Sequence, residues 1–195
     1  MSIFDSAEFN ERLFFPRADT SAPPPGATDT FIDGLHVRRH GGGLPMLLLF
    51  HGNGEVVADY DDQAARFAAA GASLAVMDYR GYGRSEGTPT LRGALEDAVT
   101  ICEHLKPAIV MGRSLGSACA AELYARGAAR AFVIESGFVD LAALIRRRGL
   151  APPTLSADEL ARFDPVPKLA RGSAPLLVLH GARHDDRSGR SAPRA

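Results

Sequence analysis

An excess of charge of either sign is missing from this chain of 195 residues. Its 22 lysines and arginines stand against 23 aspartates and glutamates, a formal net charge of -1. That balance gives no field for gripping nucleic acid or an anionic membrane, so neither is expected as a partner. Cysteine is scarce: Cys102 and Cys119 are the only two, which excludes a disulfide scaffold and a thiolate metal cage. No apolar run approaches the roughly 18 residues of a bilayer span, so no transmembrane segment is expected. The opening residues, Met1-Ser2-Ile3-Phe4-Asp5, have no basic region leading into an apolar stretch. No secretory signal is therefore expected, and the expected location is cytoplasmic. What is present is ordinary for a globular protein, 46% hydrophobic and 23% charged, and the length suits one domain over residues 1–195.

The first thirty residues read as loop. Ala22-Pro23-Pro24-Pro25-Gly26 suits neither helix nor central strand, because each proline removes a donor and fixes its own backbone. Phe14-Phe15-Pro16 reads as an apolar anchor for this arm. Short β-prone pieces follow at Thr30–Ile32 and His36–Arg38. A rhythm then sets in. The apolar runs Met46–Phe50, Ser73–Met77, Ala108–Met111, Ala131–Ile134 and Pro175–Leu179 have strand length and no alternation, as in strands buried on both faces. Between them lie helical patterns at Tyr60–Ala70, Thr90–Leu105 and Ser117–Arg126, closed by Gly71, Pro107 and Gly127. Alternating strands and helices predict an α/β fold, a mostly parallel sheet with helices on both faces. The stretch 137–172 is too long for a tight crossover. It reads either as surface decoration or as a short lid-like insertion over the carboxyl ends of the strands, where such sheets bind ligands. Arg146-Arg147-Arg148, within it, reads as a solvated helix end.

The informative segment is Gly112-Arg113-Ser114-Leu115-Gly116, set between a strand and a helix. In that context G-x-S-x-G describes a nucleophile elbow. A sharp strand-to-helix turn strains the central residue and lifts its hydroxyl above the sheet, and flanking side chains would collide with neighbouring elements. The backbone N–H of Leu115 then points into the mouth of the turn, at the positive end of a helix, where it can stabilise an oxyanion. His51-Gly52-Asn53-Gly54 follows the strand Met46–Phe50, and the N–H of Asn53 is the expected second oxyanion donor. His51 precedes the nucleophile and reads as structural. Asp78-Tyr79-Arg80-Gly81-Tyr82-Gly83 reads as a tight loop in which Asp78 and Arg80 hydrogen-bond the backbone. Arg113 could meet an anionic substrate group or form a salt bridge on the elbow's outer face. Cys119 and Cys102 read as small buried residues.

Taken in order, H-G-N-G, D-Y-R-G-Y-G-R-S-E-G and G-R-S-L-G-S, each after a strand, resemble the α/β-hydrolase superfamily. The chain is most similar there to the serine-hydrolase-like, Bem46-like branch. The resemblance covers roughly residues 12–186, including Phe163-Asp164-Pro165-Val166 and the run to His180-Gly181. It implies a Ser-acid-His triad and hydrolysis of a small-molecule ester, thioester or amide, with no cofactor and no metal. Ser114 is then the nucleophile. The acid is expected shortly after His180 and falls on Asp185, with Asp186 in reserve. The family would continue with a further strand, a helix and a loop bearing the histidine. Here Arg187–Ala195 holds no histidine and reads as an unstructured tail, so the C-terminal strand and helix are expected to be missing and the activity impaired. Three readings stay open: a serine hydrolase whose chain is truncated, a non-catalytic binding protein on the same fold, or a substitute base at His184 or His51.

Overall fold

A computed structural model describes residues 3–138, 140–150 and 156–181. Asp185, Asp186, His184 and the tail 187–195 lie outside the described residues. The structure forms one seven-stranded sheet. Its strands are β1 (Ala27–Ile32), β2 (Leu35–His40), β3 (Met46–Phe50), β4 (Ser73–Met77), β5 (Ile109–Arg113), β6 (Ala131–Glu135) and β7 (Leu176–Leu179). Their spatial order is β1-β2-β4-β3-β5-β6-β7. β2 runs antiparallel to both β1 and β4, and every other neighbouring pair is parallel.

The unbroken apolar runs of β3 and β4 are explained by the two layers of core, whereas β7, at the edge of the sheet, departs from the expected burial and leaves Leu177, Val178 and Leu179 exposed. Leu48, Phe50, Ala75, Met77 and Val110 point to one face and join the larger core cluster. Their sequence neighbours Leu47, Leu49, Leu74 and Val76 point to the other and pack with Val57 and Tyr60. A strand buried on both sides has no polar face to alternate with. Helices α3 (Leu91–Leu105) and α4 (Ser117–Ala125) lie on the first face. α3 starts where Thr90 accepts the N–H of Gly93 and stops at Lys106, held in the left-handed conformation at φ +49° just before Pro107. On the second face a 3-10 turn over Val57–Gln63 runs into α2 (Ala64–Ala69), with Phe67 reaching into the core. The single helix expected over Tyr60–Ala70 is thus split. Tyr60 and Val57 are pinned in the core by a tighter turn before the α-helix begins.

The N-terminal arm corrects the loop reading. Ala7–Leu13 is a helix, α1, after a 3-10 turn at Ile3–Asp5. Ser6 caps it by accepting the N–H of Phe9, and Phe4, Phe9 and Leu13 are fully buried against the body. Seven residues are too few for a helix stable alone, so this one exists through its docking. Phe14 is buried, as an anchor should be, whereas Phe15 stands half exposed. The stretch 137–172 contains α5 (Leu141–Arg147), α6 (Ala157–Phe163) and α7 (Pro165–Leu169). Among these, α7 packs on α4 through Lys168, whose buried ammonium lies 2.6 Å from Glu122. No helix among the described residues is long and apolar enough to cross a membrane.

Candidate active site

β5 ends at Arg113 and α4 begins at Ser117, so Ser114–Gly116 must reverse the chain in a single 3-10 turn. Ser114 sits at the apex with φ +50°, a region that serine rarely adopts. Such strain persists only where the surroundings over-determine it. Here they do. A Cβ at Gly112 would fall less than 3.0 Å from the carbonyl oxygen of Gly116, and one at Gly116 would meet the carbonyl of Phe50 just as closely. Both flanking positions therefore require glycine, and the second presses the turn against the end of β3. Ser117 donates its hydroxyl to the Ser114 carbonyl at 2.7 Å and closes the turn from beneath. The Ser114 side chain is exposed. The N–H of Leu115 lies in the first helical turn, where amides have no intrahelical acceptor.

That contact brings the loop after β3 beside the elbow. The Asn53 side chain is fully occupied there. Its amide donates to the carbonyl of Leu13, and its oxygen accepts the N–H of Phe15 at 2.9 Å and the hydroxyl of Tyr82 at 2.6 Å. Asn53 thus ties the N-terminal arm to the loop through its side chain, and it lines the same cleft as Ser114. Glu55 braces the same loop. It accepts the N–H of Gly52 and the hydroxyl of Tyr60, both at 2.7 Å, and its other oxygen meets the Arg113 guanidinium. Arg113 also lies 3.7 Å from Glu135. Of its two sequence readings, the salt bridge is the one observed, and it joins the elbow to the loop.

Beneath the loop lies a buried polar layer. The Asp78 carboxylate accepts the N–H of Val57 at 2.9 Å, pairs with His36 Nδ1 at 2.8 Å and lies 3.5 Å from His51 Nε2. Burial pushes the Asp78 carboxyl upward, but the hydrogen bonds of His36 and Val57 and the nearby His51 ring outweigh it and hold the pKa at about 2. His51 is fully buried, with Nδ1 donating to the carbonyl of Gly52 at 2.8 Å. It packs under the loop against Tyr79 and Tyr82. Arg80 departs from its sequence reading: it pairs with Asp97 through two bonds of 2.8 Å rather than with backbone. Arg80 reaches α3 because Asp97 lies on the helix face turned to this loop. Burial raises the thiol of Cys102 to about 11 and that of Cys119 to about 12, as for small core residues.

Ser114 opens into a cleft of about 360 Å³. Its lining includes the apolar Leu13, Leu115, Phe138 and Leu144 together with Arg147, Arg148 and His180. Arg147, Arg148 and His180, like Leu13, Phe138 and Leu144, were not read as site residues. The arginine triplet closes α5, whose position depends on a long connection that spacing cannot fix. His180 ends β7, and only the sheet order places β7 beside β6 and hence near the elbow. Among the described residues, no side chain hydrogen-bonds the Ser114 hydroxyl, and the acid expected at Asp185 or Asp186 lies outside them.

A mostly parallel sheet with this strand order, a strained serine between two obligatory glycines and a glycine-rich loop beside it define an α/β hydrolase. The serine aminopeptidase S33 family model matches residues 45–163, well over half of the chain, and the chain belongs to that family. An uncharacterized protein of Mycobacterium tuberculosis is 28% identical over 196 residues, covering 89% of this chain and 69% of that protein. The lysophosphatidylserine lipase ABHD12 of Danio rerio is 29% identical over 70% of this chain, which spans only 42% of that lipase. Among solved structures, a bacterial membrane phospholipase A superposes with a TM-score of 0.62 at 19% identity, over 81% of this chain and 71% of its own, a likeness of fold.

Proposed function

We propose that the chain is a serine hydrolase of the acyl-transfer type, acting on a small-molecule ester, thioester or amide. Ser114 is its nucleophile. The hydroxyl oxygen adds to the substrate carbonyl carbon, and the N–H groups of Leu115 and Asn53 hold the oxygen that becomes negative. The Ser114 proton leaves through solvent as the bond forms and is returned to the alcohol, thiol or amine that is expelled when the intermediate collapses; water then hydrolyses the acyl-serine, its hydroxyl going to the acid product and its proton back to Ser114. Asp185, with Asp186 in reserve, is the proposed acid of the triad, and the segment carrying α5 covers the cleft. The observation that carries this reading is the backbone at Ser114. A serine is held at φ +50° between two glycines that tolerate no Cβ, an arrangement whose cost has no structural return unless the hydroxyl is to be presented.

Esters fit this cleft better than free peptides. An aminopeptidase must hold an α-ammonium group, which calls for a carboxylate in the binding site. The described residues of the lining include Arg147, Arg148 and His180 and no aspartate or glutamate. The relative named as a lysophosphatidylserine lipase supports the same choice. One observation favours a second reading, a non-catalytic ligand-binding protein: no base bonds the Ser114 hydroxyl among the described residues. Without a base, serine is a weak nucleophile, and loss of a triad member costs on the order of 10⁴–10⁶ in turnover.

A fluorophosphonate probe separates the two. The hydrolase reading expects covalent labelling of Ser114, lost in Ser114→Ala, together with turnover of short p-nitrophenyl esters. Absence of both labelling and turnover in the folded protein would leave only the binding reading.

A further inference from the structure

The lining of the Ser114 cleft is mixed in chemistry. Leu13, Phe138 and Leu144 are apolar, while Arg147 and Arg148, one turn along α5 from Leu144, add positive charge to the same lining. Arginine elsewhere in this chain commonly meets a carboxylate: Arg80 meets Asp97, Arg113 meets Glu55 and Arg162 meets Glu96. Even Arg146, one residue away, lies 3.8 Å from Asp140. Arg147 and Arg148 have no such partner among the described residues. A helix end favours cations through its dipole, which accounts for their occurrence in the last turn of α5 but not for their place on the cleft.

Arg148 is held in position. Its guanidinium stacks over the ring of Phe15 at 4.7 Å, which leaves the in-plane N–H groups at its edge available. Phe15 in turn is tied to the oxyanion loop by its N–H bond to Asn53. The α5 end is also moored, since Arg12 donates to the carbonyl of Gly149 at 3.2 Å. Two guanidinium groups on a partly apolar cleft make a fork suited to phosphate or carboxylate. Two positive charges lining one cleft attract an anion more strongly than either alone.

We propose that this cleft takes an anionic amphiphile. Arg147 and Arg148 bind the phosphate or carboxylate of the ligand, and its hydrocarbon chain lies on Leu13, Phe138 and Leu144. Resting on the assignment of Ser114 as nucleophile, this makes the substrate an ester bearing an anionic group. The binding itself can be measured without turnover.

Calorimetry on the whole chain with four probes below their micelle concentrations tests it: decyl phosphate, decanoate, decanol and inorganic phosphate. Decyl phosphate or decanoate should bind at least tenfold more tightly than decanol. The stronger of the two identifies the headgroup, and inorganic phosphate alone should bind at least tenfold more weakly than decyl phosphate. The pair Arg147→Gln and Arg148→Gln should bring the anionic probe to within about twofold of decanol. Arg130→Gln, just before β6 and so at the opposite end of the strand, should change nothing. Equal binding of charged and neutral probes, an unaffected double variant, or no binding of any amphiphile overturns the proposal. Fluorophosphonate labelling runs in parallel. Its loss with anion binding retained counts against the hydrolase reading alone, and its presence with charge-indifferent binding counts against the anion site alone.

Discussion

Glu55 is the residue on which the two halves of the proposed oxyanion hole converge. One carboxylate oxygen holds the Gly52 amide beside Asn53, and the other meets the guanidinium beside Ser114. Charge is needed only for the second of these contacts. Glu55→Gln should therefore keep the loop bonds, change stability by less than about 1 kcal/mol as expected of a part-exposed pair, and loosen the elbow against the loop. Labelling of Ser114 should slow by roughly tenfold, a fraction of what loss of a whole oxyanion donor costs. An unchanged labelling rate, with the melting temperature also unchanged, would show that Glu55 has no positioning role. The need for glycine at 112 and 116 was legible in the sequence, because the motif states it. The Glu55–Arg113 link was not. It joins residues of two different loops, and nothing in either local pattern selects salt bridge over substrate contact.

At the scale of elements, α1 shows how a short segment is made helical by what it docks on. Asn10, on its buried face, donates to the carbonyls of Phe4 and Ser6 at 3.0 and 2.9 Å. Its side-chain oxygen accepts the N–H of Leu91 at 3.0 Å, the first residue of α3, where no intrahelical acceptor exists. Asn10→Ala leaves the buried N–H of Leu91 without its acceptor and removes the side-chain bonds to the body of the arm. The expected cost is about 2 kcal/mol, read as a lower midpoint in chemical denaturation with an unchanged slope. An effect below about 0.5 kcal/mol, the range of an ordinary surface change, would contradict the docking role. The same helix supplies Leu13 to the cleft and its carbonyl to Asn53, so the arm read from sequence as loop reaches the site itself. The proline run after it pointed to loop correctly. Seven residues before it carried too short a period to be told from irregular chain.

For the whole molecule, the buried layer around Asp78 couples folding to acid. Asp78 is held at about 2, below the ordinary 3.8, because the hydrogen bonds of His36 and Val57 and the nearby His51 ring exceed the opposing effect of burial. A carboxyl with a depressed pKa stabilises the fold above its unfolded value, and that contribution is lost as pH falls from 3.8 toward about 2. The difference amounts to about 2 kcal/mol. Unfolding followed between pH 5 and pH 2 should show this loss. Asp78→Asn should be less stable at neutral pH and should lack this part of the acid slope. An identical slope in the variant would place the acid sensitivity elsewhere.

Sequence alone determined the class of fold, because strands buried on both faces cannot hide their unbroken apolar runs, and the helices between them leave parallel pairing as the economical topology. It also determined the elbow, since only glycine fits beside a serine at that turn. Tertiary structure decided what surrounds Ser114. The closing of β3 against Gly116 puts the glycine-rich loop beside it, the sheet order brings His180 to its edge, and α5 carries Arg147 and Arg148 onto the cleft. None of these has a local signature. Each depends on where a long connection returns to the sheet, which is settled by packing across the whole molecule. The near-neutral charge that opened the sequence reading is an average, and the cleft, with two arginines and no carboxylate among its described residues, departs from it.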